Sequence, residues 1–113
     1  MKIGTHYDKH NYNCANFVAD WYNKHLDIEI PVINEFDRSF IVWMRRNFNP
    51  VKKPTDHCLV LMVEPCGSYH IGVYYEHGVY HNFKPVKSHG SVVKSTLGSI
   101  KANYTKVSFH KWS

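Results

Sequence analysis

The run Cys58-Leu59-Val60-Leu61-Met62-Val63 constrains the fold more than any other stretch. Six successive apolar residues leave no polar side to turn toward water. Such a run suits a strand buried on both faces, in the middle of a sheet. The rest of the chain must then supply elements that pack on that sheet.

One cover lies upstream. Phe17, Val18, Trp21, Tyr22 and Leu26 recur at three-to-four-residue spacing, which predicts an amphipathic helix from about Cys14 to Leu26. Asn13 stands as its N-cap. Pro31 stops any continuation through Asp27-Ile28-Glu29-Ile30. A second helix is predicted from about Asn34 to Asn47, with Phe36, Phe40, Trp43, Met44 and Phe48 as its apolar stripe. Asn49 to Thr55, with two prolines and two lysines, reads as a loop.

Beyond Val63 the period is that of strands. Tyr69 to Tyr75 and Val79 to Phe83 read as two strands joined at Glu76-His77-Gly78. Residues 84 to 101 are loop-like, with a short strand at Ser91 to Lys94 and a turn at Thr96 to Ile100. Asn103 to Trp112 reads as a last strand, with Tyr104, Val107 and Phe109 as core candidates. Helices followed by an antiparallel meander predict an α+β domain with helices packed on a sheet.

At 113 residues the chain suits one domain with its own core. No apolar run approaches the roughly 20 residues of a membrane span. The N-terminus lacks the apolar stretch of a secretory signal. Three cysteines, Cys14, Cys58 and Cys66, are an odd count and argue against a disulfide framework. The net charge of +5 suits an anionic partner. The basic residues are scattered, however, with doublets only at Arg45-Arg46 and Lys52-Lys53, so nucleic acid is not the expected partner. His6, His10 and Cys14 would share one face of a helix, but no fourth ligand has a recognisable spacing. That stretch reads as a solvated arm, and neither metal nor cofactor is expected.

Cys14 is the residue with the clearest chemical potential. At a helix N-terminus the macrodipole favours thiolate, and free N–H groups there can hold an oxyanion. A thiol nucleophile needs an imidazole base and a group that orients it. His70, Gly72 and Tyr74 share one strand face, and Gly72 would keep that face open for substrate. A three-residue loop at Glu76-His77-Gly78, with Gly78 left-handed, pairs Tyr75 with Val79 and sets Asn82 beside His70. A two-residue His77-Gly78 loop shifts the parity and sets His81 there instead. The other histidines, His6, His10, His25, His57, His77, His89 and His110, are read as exposed surface.

Tyr12-Asn13-Cys14-Ala15-Asn16-Phe17-Val18, the closing Ile28-Glu29-Ile30-Pro31, and the run His70-Ile-Gly-Val-Tyr-Tyr-Glu-His-Gly-Val-Tyr-His-Asn82 together resemble a known family. They look like the NlpC-type papain-like peptidoglycan endopeptidases, above all the compact branch in tail-tip proteins of long-tailed phages. The resemblance implies a single NlpC-type papain-like domain over residues 1–113. It implies Cys14 as nucleophile, His70 as base and Asn82, twelve positions on, as the third residue, with His81 as the alternative. Tyr12 falls where the family carries an oxyanion helper, and Asn13 and Ala15 where it contacts substrate. The family usually reads Asp-Cys-Ser-Gly; here the sequence is Asn13-Cys14-Ala15-Asn16, without the charge that holds the stem-peptide amine. The implied function is a cysteine peptidase or amidase cleaving peptidoglycan stem peptides, carried in a phage virion with tail-tip proteins as partners. The rival is a non-catalytic structural or assembly protein of the tail tip with the same fold.

Overall fold

The computed structural model describes residues 14–30, 38–83 and 91–112; at positions 14–16, 38–40, 83 and 91 it describes backbone but not side chains. The chain is α+β, with helices packed on a six-stranded antiparallel sheet. Helix α1 spans Cys14–Leu26, the range its periodicity predicts. It ends where Asp27 turns left-handed, with φ of 54°, and the Ile28 N–H bonds back to the Tyr22 carbonyl. Helix α2 is described over Arg38–Asn47, and its predicted start at Asn34 lies outside the described residues.

The strands are β1 (Phe48–Val51), β2 (Leu59–Val63), β3 (Tyr69–Tyr75), β4 (Gly78–Phe83), β5 (Ser91–Thr96) and β6 (Lys106–Trp112). They lie in the order β1-β6-β2-β3-β4-β5. The apolar run is thus an inner strand, with β3 on one side and β6 on the other. From β5 the chain passes through a short helix, α3 (Leu97–Asn103), before β6 returns beside β2.

Two expectations are corrected. The predicted loop at residues 49–55 begins with a strand, β1, that contains Pro50. Proline lacks the N–H for a second ladder, and an edge strand needs only one. The stretch at residues 96–103, read as a turn and the start of the last strand, holds α3. Thr96 caps it, accepting from the Ser99 N–H at 3.2 Å, and Ile100 anchors it.

Alternation along the strands divides the core in two. One face carries Leu59, Leu61, Ile71, Val73 and Val92 beneath Phe17, Val18, Trp21 and Tyr22 of α1 and Ile41 and Met44 of α2. The other carries Cys58, Val60, Met62, Val79 and Phe109, with Ile100 of α3 packed on them.

Candidate functional site

The chemistry-bearing residues divide between these faces. Cys14 is the first residue of α1, and its side chain lies outside the described residues. Downstream, α1 is firmly seated. The Trp21 ring lies 5.4 Å from Tyr75 and 5.2 Å from Tyr80, over the β3–β4 hairpin. Ile71, Val73 and Tyr75 of β3 face this helix.

His70 alternates with them and faces the other way. Its cross-strand neighbour is Met62, and Gly72 sits opposite Val60, both on the α3 side. There the His70 ring stacks on Tyr104 at 6.1 Å with an interplanar angle of 10°. The sheet therefore stands between α1 and the His70 imidazole.

The hairpin decides the partner of His70. Tyr75 pairs with Gly78, so the loop is the two residues Glu76-His77. Both are left-handed, at φ of 48° and 65°, as the preferred two-residue hairpin turn requires. The expected three-residue loop is corrected, and the parity shifts by one. His81 now stands beside Gly72, where a Cβ built on residue 72 would lie 2.9 Å from the His81 Cβ and 2.6 Å from the Tyr80 carbonyl oxygen. Gly72 is needed for this close approach of β4, not to leave a space for substrate.

Asn82 is turned to the α1 side. It alternates with His81, pairs with Val92 and is fully buried. The three residues expected to act together are thus split, with His70 facing α3, Asn82 facing α1 and Cys14 at the head of α1. Tyr12 and Asn13 lie outside the described residues, and Ala15 is the second residue of α1.

What the α3 face does assemble is a relay. His70 Nε2 is 2.9 Å from His81 Nδ1, and His81 Nε2 is 3.0 Å from the Ser95 hydroxyl oxygen. One proton lies in each gap, so the two bonds share a direction. If His81 Nδ1–H donates to His70, then His81 Nε2 accepts from Ser95. In the reverse tautomer Ser95 accepts. Burial, and secondarily the nearby His81, push His70 down to about 3; burial pushes His81 down to about 4. Both rings are neutral at pH 7. An imidazole held so low is a weak general base near neutrality, where catalysis favours a pKa close to the working pH.

Neither Ser95 nor Tyr104 stands out in the sequence as a partner of the pair. Ser95 sits past the strand expected to end at Lys94, and Tyr104 reads only as a core residue. Two other histidines depart from the exposed surface expected of them. His57 is half-buried at φ of 70°, and Trp21 Nε1–H donates to its Nδ1 at 3.1 Å. His110 is buried, 2.8 Å from the Ser108 hydroxyl oxygen, and held below its ordinary value by burial and then by Arg45.

Neither remaining thiol supplies a nucleophile beside the relay. Cys58 is buried and burial pushes its thiol up, while Cys66 is exposed in the β2–β3 turn. An open groove of about 610 Å³ is lined by Pro54, Thr55, Asp56, Tyr74, Glu76 and His77, so neither His70 nor His81 borders it. Among the described residues no cluster of three or more His, Cys, Asp or Glu could hold a metal, and no helix is long and apolar enough to cross a membrane.

Compared with protein-family models, curated proteins and solved structures, the chain matches none of them.

Proposed function

We propose that the chain is a non-catalytic structural or assembly protein of a phage tail tip, with the papain-like NlpC-type fold and without its hydrolytic centre. The observation that carries this reading is the sheet standing between α1, which Cys14 heads, and His70. The depressed pKa values of His70 and His81 support it further, because a buried neutral pair serves packing better than proton transfer at pH 7. The tail-tip setting and the virion location are supported by the sequence resemblance alone.

The rival is a cysteine peptidase or amidase acting on peptidoglycan stem peptides. Two features favour it: Cys14 opens a helix, and His70 has a hydrogen-bonded imidazole neighbour of the kind that orients a base.

Thiol reactivity separates the two. Iodoacetamide alkylation is followed over a pH series, in the wild type and in His70→Ala, with Cys14, Cys58 and Cys66 resolved by peptide mass. The structural reading predicts a Cys14 that stays inert or reacts only near the free-thiol value of about 8.5, with no dependence on His70. Fast alkylation well below that value, lost in His70→Ala, would overturn it and establish the thiol–imidazole pair.

A further inference from the structure

Half of the chain's fourteen Lys and Arg fall along one edge of the molecule. Helix α2 carries Arg38, Arg45 and Arg46, β6 carries Lys106 and Lys111, and Lys52-Lys53 follow β1. No Asp or Glu occurs between residues 38 and 55, or anywhere after Glu76. Among the described residues no ion pair engages Arg45 or Arg46.

The same edge exposes apolar surface. Helix α2 buries Ile41 and Met44, which leaves Val42, Arg45 and Arg46 on its outward stripe at three-to-four-residue spacing. Val42 is 44% exposed and Trp112 36%. Trp112 packs with its ring 5.1 Å from Phe48 and 6.3 Å from Trp43, which lies half-buried between the helix and the strands. Aromatic rings beside arginines are the typical composition of an interface hot spot.

We propose that α2, together with the Trp112 end of β6, docks an acidic, amphipathic segment of a protein partner. The proposal rests on the assembly reading above and gives that partner its chemistry. Carboxylates of the segment meet Arg45 and Arg46, and an aliphatic or aromatic side chain covers Val42 and Trp112. Strand addition is not the mode, because Pro50 interrupts the donors of the edge strand β1. A helix laid along α2 uses side chains alone. A nucleic acid fits less well, since phosphates gain nothing from the exposed apolar surface of Val42 and Trp112.

The test is a titration of isotope-labelled protein, followed by amide and indole NMR shifts, with three probes. The first is a synthetic amphipathic helix with a leucine stripe flanked by glutamates. The second is a polyglutamate peptide without apolar residues, and the third a DNA duplex of mixed sequence. The expected result is saturable binding of the first probe, with shifts confined to α2, β1 and the Trp112 indole. Arg45→Glu with Arg46→Glu should weaken it about tenfold or more, and Val42→Asp should do likewise. Lys24→Glu with Lys101→Glu makes the same change in net charge elsewhere on the surface and should leave binding nearly intact. These side chains are exposed, so the variants should keep the wild-type spectrum away from the substituted sites. The proposal is overturned if polyglutamate or DNA binds as tightly as the first probe. It is also overturned if the shifts fall elsewhere or the two charge-reversed pairs behave alike. Cys14 alkylation is independent of all these readouts, so a failed titration and a reactive thiol would count against different conclusions.

Discussion

The two faces of the sheet are built on different principles. The α1 face is a conventional apolar layer, in which Phe17, Val18 and Tyr22 lie fully buried on Ile71, Val73 and Leu59. The α3 face encloses apolar residues too, but it also seals two imidazoles and binds them to each other and to Ser95. Hydrophobic burial dominates the first face, which also holds the buried Asn82 and the hydrogen bond from Trp21 to His57. The second depends on a hydrogen-bonded pair that is comfortable only while neutral. One strand, β3, serves both, sending alternate side chains to opposite environments.

The largest expected effect tests the apolar face. Phe17→Ala removes a fully buried ring from the α1 layer and should cost about 3–5 kcal/mol. Urea unfolding measures it, and because the substitution removes no titratable group, the cost should be nearly the same at pH 7 and pH 5. A loss under about 1 kcal/mol would mean that α1 does not pack as described.

The polar face should respond to pH where the apolar one does not. The pKa values of His70 and His81 are lowered on folding, so the unfolded chain binds more protons below its ordinary imidazole value of about 6.5. Their contribution is fully present above that value and is lost as pH falls from about 6.5 toward the folded values near 4 and 3. By pH 5 the loss is on the order of 2 kcal/mol for each ring, less whatever the pair recovers by sharing a proton. No carboxylate contributes to either shift to offset it. His70→Leu with His81→Leu removes both partners together, so neither is left buried alone. Denaturant unfolding between pH 7 and 4.5 should show a flatter stability profile in this variant than in the wild type. Parallel profiles would mean that the pair is hydrated or already charged at pH 7.

This contrast also governs what the sequence can reveal. The bounds of α1 are legible because Phe17, Val18, Trp21, Tyr22 and Leu26 repeat with helical period and the stripe decides the face. The Cys58–Val63 run is legible as an inner strand because burial on both sides leaves no polar residue in it. The α3 face depends instead on a single hairpin register. Gly78 invites the left-handed position that glycine usually fills. In the structure Glu76 and His77 take that conformation, and Gly78 lies where an added Cβ would come 2.7 Å from Lys94 Cε and 3.2 Å from the Ser95 carbonyl oxygen. A one-residue difference in the loop exchanges Asn82 for His81, and nothing local to either residue signals it. Strand β1 is hidden for another reason, since Pro50 and the lysines after it are the marks of a loop and only an edge position tolerates them. The separation of α1 from His70 is a tertiary fact. A cysteine at a helix start and a histidine in a strand are compatible with either face.

The smallest effect isolates α3 itself. This helix has only seven residues, too short to be stable alone, so it depends on its cap and its anchors. Thr96 supplies the cap through its hydroxyl oxygen, and at the far end the Thr105 N–H and hydroxyl both donate to the Val63 carbonyl. Thr96→Ala should cost about 1 kcal/mol overall. Its more telling signature is local. Ser95, the residue before the cap, ends the imidazole relay, and Tyr104, the residue after α3, covers His70. Loosening α3 should therefore admit water to the two rings first. Amide hydrogen exchange should quicken across residues 97–104 and leave α1 unchanged, and the imidazole resonances of His70 and His81 should begin to titrate at higher pH than in the wild type. Uniform acceleration through both helices would show instead that the two faces open as one unit, and that their different chemistry does not divide the molecule's stability between them.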